Sequence, residues 1–135
     1  MSRRALDKLA QEDGHYKHWV TELDEELPIL MNDTPPANDP PITLHQQFLQ
    51  NLETHANHKA MAVKRGGKWV HWTYTEYYNE SMNFARAMVA IGIPKRRATN
   101  IIGFNSPEWV IAFVGATFAD CVPVGVYTTS GVDAC

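Results

Sequence analysis

The sequence predicts an α/β fold centred on one parallel β-α-β unit. Three observations carry that reading. Two β-branched runs, Thr99 to Phe104 and Val122 to Tyr127, are separated by the length that a crossover helix needs, the whole unit spanning about 30 residues. The run between them, residues 109–119, holds a single hydroxyl, Thr117, among apolar or small side chains, as a helix covering a parallel sheet requires. Upstream, Arg65-Gly66-Gly67-Lys68 divides two strand-like runs and marks a β-hairpin.

Residues 1–42 read as a polar leader or linker. Met31 to Pro41 is interrupted by four prolines and cannot sustain a helix or a central strand. A short helix around Leu6 and Leu9 is the only regular element expected there. Basic Arg3 and Arg4 have no apolar run behind them, so neither a Sec nor a twin-arginine export signal is expected from this stretch.

From Thr43 the pattern becomes regular. Thr43-Leu44-His45-Gln46 has the form of a capping box, and Leu44, Phe48, Leu52 and Ala56 then recur at four-residue intervals as one buried stripe. The hairpin follows, with strands at Ala60–Lys64 and Trp69–Trp72. Thr73-Tyr74-Thr75-Glu76 is a second capping box. The helix it opens runs to about Ile91, with Tyr77, Phe84, Ala85, Met88 and Ile91 on the core face and Gly92 as left-handed cap. Pro94 prevents continuation. After the β-α-β unit, Ser130 to Cys135 reads as the opening of another helix. A sheet of two parallel strands is short of the usual five or six, so the chain is expected to be the N-terminal piece of something larger.

Composition narrows the function. Twelve Lys or Arg against fifteen Asp or Glu give a net charge of −3, and the one basic cluster, Lys95-Arg96-Arg97, reads as a solvated loop rather than a nucleic-acid footprint. The longest apolar run, Trp109 to Ala119, is too short for the ~20 residues of a membrane helix. Two cysteines, Cys121 and Cys135, make no disulfide framework and favour a reducing compartment.

Candidate chemical motifs fail on physical grounds. Ser106 sits between a strand and a helix like a nucleophile elbow, but Phe104 and Glu108 stand where glycines are needed. Pro107 also lacks the N–H that would serve an oxyanion. Ser106 and Asn105 are better read as helix caps, with Pro107 at the first helical position and Glu108 favourable to the dipole. Glu108 also opposes a phosphate at that helix start. No G-x-G-x-x-G follows the first strand, Asp120 is misplaced for a ribose acid, and Gly66-Gly67-Lys68 opens no helix. His15 with His18, and His55 with His58, lack further ligands in metal-site order. Trp69, Trp72, Tyr74, Tyr77 and Tyr78 fit hairpin and core packing better than a base-stacking platform. The sequence therefore assigns no catalytic, cofactor-binding or metal-binding residue.

The wording of four segments is nonetheless distinctive. Pro41-Ile42-Thr43-Leu44-His45, Trp72-Thr73-Tyr74-Thr75-Glu76-Tyr77-Tyr78, Ile101-Ile102-Gly103-Phe104-Asn105-Ser106-Pro107-Glu108-Trp109 and Val124-Gly125-Val126-Tyr127-Thr128-Thr129 occur in that order. Together they resemble the N-terminal region of the adenylate-forming (AMP-binding) enzymes, and within these the long-chain fatty acyl-CoA synthetases of the bubblegum type. The resemblance covers Pro41 to Cys135. It implies that residues 43–135 are the N-terminal part of an AMP-binding large domain, a hairpin plus helices and one β-α-β unit with an incomplete sheet.

For the parent enzyme the resemblance implies ATP-dependent activation of a long-chain fatty acid through acyl-AMP to acyl-CoA, with ATP, Mg2+ and coenzyme A taking part. The fragment alone is expected to be inactive and to bind none of them. Thr128-Thr129-Ser130-Gly131 only superficially resembles the family's phosphate loop, because no second threonine pair or lysine follows. By the same resemblance the strand end at Tyr127-Thr128 approaches the substrate cleft. A cytoplasmic protein, without nucleic-acid partner or transmembrane segment, and with the parent attached peripherally to the endoplasmic reticulum, completes the expectation. Two alternatives stay open: a stand-alone interaction module derived from such an enzyme, and a ligase for a different carboxylate.

Overall fold

The structure, a computed structural model, describes residues 19–22, 25, 27, 34–35 and 38–131. The chain divides into two units, residues 1–43 and residues 44–135. In the first, Trp19 is exposed and the Glu25 N–H donates to the Glu22 carbonyl. The expected helix around Leu6 and Leu9, the His15–His18 pair and residues 132–135 lie outside the described residues.

The second unit runs α1 (Leu44–His55), β1 (Lys59–Arg65), β2 (Lys68–Thr73), α2 (Tyr74–Ala90), β3 (Ala98–Ile102), α3 (Pro107–Phe118) and β4 (Val122–Val126). Strands β1 and β2 pair antiparallel, whereas β3 and β4 pair parallel, with Ile101 opposite Gly125. Gly66 and Gly67, at φ 55° and 81°, form the two-residue turn that matches the twist of a hairpin.

The caps follow the chemistry of their sequences. Thr73 accepts from the Glu76 N–H while the Glu76 carboxylate accepts from the Thr73 N–H, which completes the second capping box. At the other end of α2, Gly92 at φ 78° lets the Ile93 N–H reach the Met88 carbonyl, the Schellman arrangement. Helix α3 ends the same way with Asp120 at φ 59° in the glycine position, the Cys121 N–H donating to Ala116. The carbonyl of Asp120 then accepts from the Arg96 N–H at 2.6 Å, tying the entrances of β3 and β4 together.

The core lies between α2 and α3. Ala85, Met88, Ile111, Val114, Ala116 and Cys121 are buried, and every position of α3 except Glu108 is at least half-covered. Gly115 permits this closeness: a Cβ there would stand 2.7 Å from the Ser81 carbonyl oxygen and 2.8 Å from Phe84 Cβ. Phe48 of α1 fills the adjoining space, with Tyr77 at 4.9 Å, Tyr78 at 5.7 Å and Phe118 at 5.9 Å between ring centroids. Two expected core positions differ. Ile91 is 74% exposed because it is the C-cap, where the chain leaves the helix, and Leu44 is exposed because it opens α1 before the packed stripe begins.

Candidate functional site

The parallel strands β3 and β4 deliver their carboxyl ends to one side of the unit, the place where open α/β sheets bind ligands. A cleft of about 680 Å³ opens there, lined by Gly103, Phe104 and Asn105 after β3, Gly125 to Thr129 at the end of β4, and Trp109 from the first turn of α3. Its rim is aromatic: Phe104 is 83% exposed and Tyr127 82%. The floor is the Trp109 indole, stacked on Phe113 with centroids 5.4 Å apart.

Glycine beneath it in β4 lets Trp109 lie this close to the strand. A Cβ on Gly125 would come within 3.2 Å of Trp109 Cζ2. Ser106 holds the start of α3 in place, its Oγ accepting from the Trp109 N–H at 3.2 Å. That bond fixes the first turn and so the indole. Asn105, read from sequence as a second cap, instead faces the cleft.

The polar groups of the cleft are an amide and hydroxyls: Asn105, Tyr127, Thr128 and Thr129. Among the described residues no carboxylate, amine, imidazole or thiol side chain lines it. Such a surface can hold and orient an apolar or aromatic body with a few polar anchors, and it is not equipped for general acid–base work.

The remaining candidates are dispersed. Glu108 pairs with Arg65 of the hairpin, whose guanidinium holds the carboxyl below its ordinary range; the hydrogen bond from Arg65 is the largest cause. The Glu108 carboxylate thus occupies the outside of the α3 N-terminus and engages the Arg65 guanidinium, and that carboxylate opposes a phosphate at the helix start. The His55 and His58 rings meet edge-on at 5.2 Å, but no group of three metal-ligating side chains occurs among the described residues. Tyr74, Tyr77 and Tyr78 surround Phe48, and burial followed by Tyr74 pushes the Tyr77 phenol up to about 12. Trp69 stands apart from them. Thr128 and Thr129 form a turn in which the Ser130 N–H donates to the Tyr127 carbonyl, at the mouth of the cleft.

Sequence reasoning placed Tyr127 and Thr128 at a cleft but missed Phe104, Asn105 and Trp109. One signal was available. A glycine inside a β-branched strand marks a close approach by another group, and Gly125 is such a glycine. Which group approaches it depends on the packing of α3.

Comparisons with known proteins agree with this architecture. Over all 135 residues the chain is 34% identical to the long-chain-fatty-acid–CoA ligase ACSBG2 of Xenopus laevis, covering 18% of that protein. It is 35% identical over 117 residues to ACSBG1 of Bos taurus, covering 87% of this chain and 16% of the relative. The chain thus spans less than a fifth of these curated relatives. Among solved structures, the fatty acid AMP ligase of Legionella pneumophila superposes with a TM-score of 0.55 at 17% identity, over 66% of this chain and 17% of that one, a likeness of fold. Residues 48–135 match the model of the AMP-binding enzymes, and by that match the chain belongs to the AMP-binding enzyme family.

Proposed function

We propose that this chain is part of a long-chain fatty acid–CoA ligase, which activates a fatty acid with ATP and passes it to coenzyme A. In this reading residues 43–135 are the N-terminal part of the AMP-binding domain and residues 1–42 a polar, proline-rich leader. The observation that carries the reading is the likeness to long-chain ligases along the entire chain, its N-terminal 43 residues included. The strand-end cleft supports it. An aromatic rim at Phe104 and Tyr127 over a Trp109 floor suits the apolar part of a substrate.

The same residues do not fit a magnesium–phosphate site, since among the described residues the cleft has no carboxylate and α3 begins with Glu108. No adenylation step is therefore routed through them. The groups for ATP, Mg2+ and coenzyme A belong to other parts of the ligase, and this segment acts as scaffold and as one wall of the acyl cleft. Cytoplasmic placement with peripheral attachment to the endoplasmic reticulum belongs to the proposal. Among the described residues no helix is long and apolar enough to cross a membrane.

Fatty-acid-dependent pyrophosphate release tests the reading. A longer protein carrying this sequence is expected to release pyrophosphate with a long-chain acid, while the 135-residue chain alone releases none. Activity from the isolated chain would overturn the scaffold assignment. Release driven by an aryl acid and not by a long-chain acid would move the function to another carboxylate.

A further inference from the structure

The β1–β2 hairpin carries chemistry that the cleft does not use. Residues 59–71 hold four Lys or Arg and no Asp or Glu, in a chain whose net charge is −3, so the remainder stands at −7. The pairing register divides this segment into two faces. Met61, Val63 and Trp72 are half-buried on the inner side, where the Trp72 indole N–H donates to Glu80 at 3.0 Å. Arg65 is also engaged, paired with Glu108 and lying 5.5 Å from the Trp72 ring.

The outer side is different. Lys64 stands opposite Trp69 and Ala62 opposite His71, and all four are exposed. Trp69 is 63% exposed, and its indole N–H has no acceptor among the described residues. Lys68 stands opposite Arg65 beside the turn and is exposed there. Lys64 and Lys68 make no ion pair among the described residues, and the one acid bonded to the hairpin tip, Glu108, is already matched by Arg65. Gly66 and Gly67 leave the turn between Arg65 and Lys68 without side chains, so the tip is narrow.

We infer that the outer face and the tip of this hairpin dock on an anionic lipid surface, with Trp69 seated at the headgroup level and Lys64 on the outer face and Lys68 at the turn neutralising lipid phosphate or carboxylate groups. The chemistry favours this partner. An indole with a free N–H and an apolar body prefers the boundary between water and hydrocarbon. Lysine stems reach along apolar surface while their ammonium groups stay at the charged layer, and basic residues draw a segment to anionic leaflets. A nucleic acid would ask for successive stacking aromatics along a basic track, whereas this face has one aromatic. The inference deepens the peripheral attachment proposed above by naming its surface, and ligase activity is measured separately, so one can fail without the other.

Co-sedimentation of the chain with phosphatidylcholine vesicles containing about one-third phosphatidylserine is the test. Binding is expected, with a blue shift in tryptophan emission that Trp69→Phe removes while binding persists. Trp69→Ala is expected to weaken binding several-fold, and Lys64→Glu with Lys68→Glu by roughly ten-fold or more. Raised salt should weaken it too. All these positions are exposed, so far-UV circular dichroism should be unchanged; Lys64→Gln with Lys68→Gln gives the same ordering with a milder change. Equal binding by wild type and charge variants, or equal binding to phosphatidylcholine alone, would overturn the proposal. So would an RNA that displaces the chain from vesicles and whose own binding needs Lys64 and Lys68.

Discussion

Gly115 shows how one missing methyl group organises this unit. The α2 backbone at Ser81 lies so near α3 that a Cβ would meet a carbonyl oxygen at 2.7 Å, and a backbone atom cannot turn aside as a flexible side chain can. Gly115→Ala is therefore expected to destabilise the chain by about 1–3 kcal/mol, despite alanine's better helix propensity. Thermal unfolding of the variant checks this; an unchanged or raised midpoint would mean that the helices stand further apart. The same approach explains Ser81, fully buried with no partner for its Oγ among the described residues. A small side chain was needed there. Neither residue belonged to the expected core face of its helix.

The helices are secured at their ends by two carboxylates that ionise more readily than usual. Glu76 is held low by the Thr73 backbone N–H and then by the Thr73 hydroxyl; Glu108 is held low first by the Arg65 guanidinium. A carboxyl with a depressed folded-state pKa adds stability above its unfolded value, here near 4.5, and loses it as pH falls through the folded value. Stability should thus be level with respect to these groups above about pH 5 and decline below it. Both groups are on the surface, so the effect is small and weakens with salt. Melting curves between pH 7 and pH 3 check it: Glu76→Gln combined with Glu108→Gln should flatten the acid limb, and an unaltered limb would place the acid sensitivity elsewhere. Both acids were legible as helix-start residues. The partnership of Glu108 with Arg65 was not, because 43 residues separate them.

At the scale of the whole unit, the fold depends on α3 being covered on several sides. It packs on α2, on the β3–β4 pair and near the hairpin, and Val114 is among its buried positions. Placing a carboxylate there would strand an unpaired charge, so Val114→Asp is expected to cost about 3 kcal/mol or more and to abolish cooperative unfolding. A near-wild-type melting temperature would remove α3 from the core. The face of the β3–β4 pair that bears Ile102, Val122 and Val124 is exposed, so the parallel pair is covered unequally.

The order of elements was legible because local chemistry writes it. The Thr73–Glu76 capping box, a Gly-Gly turn, an apolar run, two β-branched strands and the left-handed end at Gly92 each act through neighbours a few residues away. Parallel pairing of β3 and β4 also follows from the chain, since the crossover is too long for a tight turn. Tertiary structure alone decided what the elements enclose. The meeting of Trp109 with Gly125, the engagement of Arg65 by Glu108, the burial of Ser81 and the outward turn of Trp69 join or separate residues far apart in sequence. Aromatic residues are equally suited to a core, a cleft or a membrane surface, and only the register of β1 on β2 and the docking of α3 assign each one its place.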